Sequence, residues 1–144
     1  MTPLEPVAYK RSFLVEGGKF KNAGYVSTRI KALLKKMNLA EEVVRRVAIV
    51  ALEAEMNICA YADYVRITVK VMSDRISIKA SDKGQGIADI GLAMEEGFST
   101  ATEDIWSMGF GAGMGLSNIK KFSDSFHISS EIGKGTILEM VILI

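Results

Sequence analysis

The chain has 144 residues, with 18 Lys and Arg against 17 Asp and Glu and a formal net charge of +1. That balance excludes a strong field for nucleic acid or an anionic membrane surface. Hydrophobic residues are 49% of the chain and charged ones 24%, which is globular rather than disordered, and the length suits one domain over residues 1–144 with a real core.

The N-terminal stretch MTPLEPVAYKRSF has no apolar segment of the signal-peptide kind, and no apolar run is long enough for a bilayer. The single cysteine, Cys59, has no partner for an internal disulfide, which fits a reducing compartment. The expectation is a cytoplasmic protein.

Residues 7–15 (VAYKRSFLV) are rich in β-formers and stop at Gly17-Gly18, predicting a strand and a turn. Residues 24–37 place Val26, Ile30, Leu33, Leu34 and Met37 at helical spacing. A second helix is predicted from Ala40 to about Ala62; it opens with Glu41 and Glu42, as the helix dipole favours, and is apolar on nearly every side. A helix of that kind belongs in the middle of the fold.

VRITVKVM (65–72) and RISIKAS (75–81) alternate around Ser73-Asp74, predicting a hairpin. A short helix near 89–96, a polar glycine-containing stretch over 97–113 and a helix near 114–124 follow. FHISSE and TILEMVILI, joined by a Gly-Lys-Gly turn, predict a closing hairpin. This order predicts an α/β fold, a two-layer sandwich with a mixed, mostly antiparallel sheet of five strands and about three helices on one face. A doubly wound parallel sheet would need strict strand–helix alternation, which is absent.

Three segments carry chemistry. Glu53 and Asn57 lie four apart on the buried helix and so project together, while Glu55 points elsewhere. Two explanations fit the spacing. The pair either marks a helix edge with a structural hydrogen bond, or joins a general base to an oxygen ligand for Mg²⁺, which prefers hard donors. Ser81-Asp82-Lys83-Gly84-Gln85-Gly86-Ile87 follows a strand. It is either an ordinary glycine turn or an acid placed to accept from an exocyclic amine, beside backbone that passes close to a flat ring. Gly109, Gly111, Gly113 and Gly115 precede the third helix. Amides freed by glycine at a helix start form a cradle for phosphates, although neither a Walker A loop nor a Rossmann fingerprint fits.

In this order, the Asn-bearing helix, the D-x-G-x-G-I turn and the G-x-G-x-G-L helix start resemble the N, G1 and G2 boxes of the GHKL (Bergerat-fold, histidine-kinase-like) ATPase and kinase superfamily. Gly133-Lys134-Gly135-Thr136 looks like its late G-x-G-T element, and the resemblance covers about residues 40–144. His127 falls in a predicted strand rather than on a phosphoacceptor hairpin, so cis histidine-kinase chemistry is not expected. The nearest branch is the small anti-sigma-factor serine/threonine kinases of the switch-kinase type, which SDKGQGIADIGLAMEEGFST and GFGAGMGLSNIKKFSDSF resemble. Tyr61-Ala62 sits where many kinases of the wider family carry His or Lys, a pair that the switch-kinase type shares, and TEDIWSMGF looks longer than its counterpart in that type.

The resemblance implies a site. Glu53 would be the general base and Asn57 the Mg²⁺ ligand. Asp82 would read the adenine amino group, with Gly84, Gly86 and Ile87 along the ring and Thr136 assisting. Residues 97–113 would form a lid, with Ser99 and Thr100 near the nucleotide. Gly111, Gly113 and Gly115 would present amides to the phosphates, with Met114 and Leu116 also at the nucleotide. Lys120 or Lys121 would be the cation for the γ-phosphate only if not part of a solvated helix face, the simpler reading. The implied cofactors are ATP and Mg²⁺, and the implied substrate is a Ser or Thr of a STAS-domain antagonist protein. A sigma factor or phosphatase is a further candidate partner, and the assembly is a monomer or weak homodimer. A nucleotide-gated binding module that transfers no phosphate is the alternative.

Overall fold

Strand alternation sets one layer of the fold. The computed structural model describes residues 9–16, 24–61, 64–82, 115–131 and 133–144, with only the backbone of 16, 57–61, 115 and 131. The elements run β1 (Tyr9–Glu16), α1 (Tyr25–Lys36), α2 (Glu41–Tyr61), β2 (Tyr64–Val71), β3 (Arg75–Asp82), α3 (Gly115–Phe122), β4 (Ser125–Glu131) and β5 (Gly135–Leu143). The strands form one sheet in the order β1-β2-β3-β5-β4. Every pairing among the described strands is antiparallel, in keeping with the mostly antiparallel sheet that the sequence predicts; no parallel pair occurs among the described residues. The predicted turn at Gly17-Gly18, the short helix near 89–96 and the stretch 97–113 lie outside the described residues.

One face of the sheet is apolar. Phe13 and Val15, Val65, Ile67, Val69 and Val71, Ile76, Ile78 and Ala80, and Leu138, Met140 and Ile142 are all buried on it. The opposite face carries Lys10, Arg66, Lys79 and Glu139, exposed to water. A period of two divides the strands in this way, and a slip of one residue would turn every valine outward.

The helices cover the apolar face. Val43, Val44, Val47, Val50, Ala51 and Ala54 of α2 are buried, a stripe spaced at three and four residues. α2 contacts both α1 and α3 as well as β1, β2, β3 and β5, the central position that its composition predicts. Ile30 and Leu34 of α1 and Ile119 of α3 complete the core.

Helix ends and turns are fixed by local chemistry. α1 stops where Asn38 adopts a left-handed φ of 58°. The Asn38 amide then reaches Lys35 O at 3.1 Å and the Leu39 amide reaches Leu34 O at 3.5 Å, the hydrogen-bond pattern of a Schellman motif. In the β4–β5 turn Gly133 has φ 81°; a Cβ there would meet nothing within 4 Å, so backbone conformation rather than crowding calls for glycine.

Candidate functional site

The ends of β3, β4 and β5 bring together residues far apart in sequence. Asp82 closes β3, and its Oδ1 accepts the Thr136 backbone N–H at 3.1 Å, across 54 positions of chain. Thr136 is 8% exposed, and its Oγ1 lies 2.8 Å from the Ser130 Oγ. Ser130 also donates to the Gly135 carbonyl at 3.2 Å. Beside them is a cleft of about 340 Å³ lined by Ser81, Asp82, Ser129, Lys134, Thr136 and Ile137 among others. Its volume falls in the range of small-molecule sites. The acid and the threonine of the late G-x-G-T element, 54 positions apart in the chain, are therefore in contact.

The second cluster lies between two helices. Glu53 is half-buried on α2, and its Oε1 accepts from Asn118 Nδ2 of α3 at 3.5 Å. Burial pushes the Glu53 carboxyl above its ordinary value of 4.5, and the Asn118 hydrogen bond works the other way. A carboxylate partly removed from water is a stronger base when ionised, which is the state a proton acceptor needs. Asn57 follows one turn later on α2, with its backbone helical and its side chain outside the described residues.

Gly115 is the first residue of α3. The Leu116 side chain is 6% exposed and belongs to the core, and its backbone amide lies in the first turn of the helix, where amides have no intrahelical acceptor. Lys120 and Lys121 are exposed, and Lys121 Nζ sits 5.6 Å from the Phe122 ring, as a solvated helix face predicts. His127 is an exposed strand residue opposite Glu139. Gly84, Gly86, Ile87, Ser99, Thr100, Gly111, Gly113 and Met114 lie outside the described residues.

Sequence reasoning missed three features. Asn118 read as an unremarked polar residue of the last helix, and nothing local marks its contact. Ser129, Ser130 and Lys134 line the cleft, which only the strand order makes visible. Glu55, set aside as pointing elsewhere, is 1% exposed and accepts the Val26 amide at 3.1 Å and the Ser27 amide at 3.3 Å. The missing side-chain cap at Gly24 was the available clue, because orphan amides at a helix start need an acceptor from somewhere.

The donor sets fit the groups that the sequence implies. A carboxylate held at a strand end by a backbone amide, in a cleft that Ser and Thr also line, suits a heterocycle with an exocyclic amine. Among the described residues no group of three or more His, Cys, Asp or Glu gathers to hold a metal; Mg²⁺, which keeps several waters and needs few protein oxygens, does not require one. No helix among the described residues is long and apolar enough to cross a membrane.

Residues 38–143 match the family described as histidine kinase-, DNA gyrase B-, and HSP90-like ATPase. The chain is 36% identical over 93 residues to the serine/threonine-protein kinase RsbT of Bacillus subtilis, covering 62% of this chain and 64% of that protein. It is 30% identical over 128 residues to the anti-sigma F factor of Thermoanaerobacter sp. (strain X514), covering 85% of each. Among solved structures it resembles the mycobacterial sensor histidine kinase MprB, with a TM-score of 0.54 and 12% identity over 94% of this chain and 97% of that one. At that identity the likeness is one of fold.

Proposed function

The chain belongs to the histidine kinase-, DNA gyrase B- and HSP90-like ATPases, and from that premise we propose that it is an ATP-dependent protein serine/threonine kinase of the anti-sigma or switch-kinase type. Its substrate is a hydroxyl side chain of a STAS-domain antagonist protein. The observation that carries this reading is Glu53, a half-buried carboxylate with a raised pKa on the central helix, in contact with the helix that follows the glycine box. A half-buried carboxylate costs stability at neutral pH, and groups kept at that cost concentrate at sites where they do chemistry, which favours a proton acceptor over a module that only binds nucleotide.

On this reading Asp82 accepts a hydrogen bond from the purine amine and the Thr136 amide fixes its carboxylate. Asn57 is the oxygen donor to Mg²⁺, and the amides at the start of α3 face the phosphates. When bound, ATP would supply the phosphoryl group, and Mg²⁺ would offset the phosphate charge that otherwise repels the nucleophile. Glu53 takes the proton of the incoming hydroxyl as that oxygen bonds to the γ-phosphorus and the bond to the leaving diphosphate breaks. Catalysis of this kind is mostly positioning and charge stabilisation, which suits a site built from a few side chains on rigid elements.

The test is incubation of the purified chain with γ-labelled ATP, Mg²⁺ and the cognate STAS-domain protein. Label on Ser or Thr of that protein is expected; none at any enzyme concentration would refute the reading. A second reading draws on the two-way 85% coverage with an anti-sigma F factor: nucleotide occupancy sets affinity for a sigma factor or other regulator. Nucleotide-dependent capture of such a partner, with full function of Glu53→Gln in cells, would favour it.

A further inference from the structure

We propose that Asn118 is a positioning residue that holds Glu53 in the orientation from which it takes the proton, a role that rests on the kinase reading above. Three features fix where Asn118 stands. Leu116 and Ile119, on either side of it, are 6% and 0% exposed, so α3 cannot roll without pulling both from the core. At the far end of α3, Arg46 Nε donates to the Phe122 carbonyl at 3.1 Å and Arg46 meets Asp124 at 3.0 Å. Arg46 and Glu53 are seven residues apart on α2, close to two full turns, and so share one stripe of that helix.

That stripe meets α3 at Phe122 and Asn118 in reverse order. The two helices therefore run antiparallel along it, pinned at each end by a polar contact. The Arg46 pin is structural: a cation beside a helix C-terminus and its last carbonyls. The Asn118 pin differs, because its partner is the one half-buried carboxylate of the candidate base, and it lies one turn from the α3 start where phosphate amides are expected.

The geometry divides the two oxygens of Glu53. Oε1 is tied to Asn118, and Oε2 has no hydrogen-bond partner among the described residues. Tying one oxygen limits rotation about the carboxyl bond and leaves the other for the substrate hydroxyl. At 3.5 Å the contact is long, as catalytic hydrogen bonds commonly are before the reacting complex forms. Burial and the Asn118 amide are the influences on the Glu53 carboxyl, and no charged side chain among the described residues acts on it. Loss of the amide therefore leaves burial unopposed.

Asn118→Leu keeps the volume and removes the donor. With γ-labelled ATP and the STAS acceptor, kcat should fall about tenfold or more while KM for ATP stays within about twofold of wild type. The acid limb of the kcat–pH profile should move to higher pH, and a ¹³C NMR titration of the Glu53 carboxyl should move with it. Should the leucine variant not fold, Asn118→Ser, too short to reach Glu53, is read in the same way. Unchanged kcat with an unchanged carboxyl titration would overturn the role. So would a parallel loss of ATP affinity and kcat at unchanged titration, which would make Asn118 part of the nucleotide cradle. A wild-type chain that transfers no phosphate would instead overturn the kinase reading itself, and the two failures are told apart by the wild-type control.

Discussion

Glu53 and Glu55 stand two residues apart on α2 and serve opposite sides of it. Glu55 turns to α1 and accepts the Val26 and Ser27 amides; Glu53 turns to α3 and meets Asn118. Two residues advance a helix by about 200°, so one short segment supplies a helix cap on one side and a candidate catalytic acid on the other.

Glu55 replaces the cap that Gly24 does not provide. Glu55→Ala takes the acceptor from two buried amides at the helix start, which places its cost at about 2–3 kcal/mol, while Glu55→Gln keeps an amide oxygen that still accepts. Urea denaturation read by circular dichroism checks this. An alanine variant within about 0.5 kcal/mol of wild type, the ordinary range for surface changes, would show that α1 does not depend on this carboxylate.

Both carboxyls titrate above the ordinary 4.5, chiefly because burial disfavours the charged form. The native chain therefore keeps protons that the unfolded chain has already released. Stability from these groups is fully present below pH 4.5 and is lost as pH rises through the folded values. Glu53→Gln removes one such group. The variant should be more stable than wild type at neutral pH, and its stability should fall less steeply as pH rises above 4.5. Parallel stability–pH curves for the two proteins would contradict this.

Arg46 fastens α3 through the Phe122 carbonyl and Asp124. The pair is only partly shielded from water, so Arg46→Ala should cost about 1 kcal/mol. If the helices are pinned independently at each end, the loss should leave the Glu53 carboxyl titration in place. Equilibrium unfolding and carboxyl NMR together check both halves.

Asp82 is held by the Thr136 amide in the lining of the cleft. Asp82→Asn keeps the shape but exchanges one acceptor oxygen for a donor, so magnesium–ATP affinity should drop at least about tenfold, or about 1.4 kcal/mol. Calorimetry measures it directly, and an unchanged affinity would remove Asp82 from the purine site.

The layers of the fold were readable from periodicity. The α2 valines and alanines at three- and four-residue spacing, and the alternation of Val65, Ile67, Val69 and Val71, predicted the elements to within one or two residues. The resemblance placed Asp82 and Thr136 in one site, and the β3–β5 pairing brings them into contact. What stayed hidden was non-local. The edge place of β1 beside β2, the cap that Glu55 gives a helix 28 positions away and the reach of Asn118 across 65 positions depend on how elements dock. No window of a single element carries that information.

Glu53 as the proton acceptor in phosphoryl transfer is put to the test by comparing wild type with Glu53→Gln under γ-labelled ATP and Mg²⁺, with the STAS acceptor present. The prediction is that label reaches the acceptor with wild type and is lost with the glutamine variant, while calorimetry finds the variant's ATP affinity intact. Label transferred equally by both proteins would contradict it.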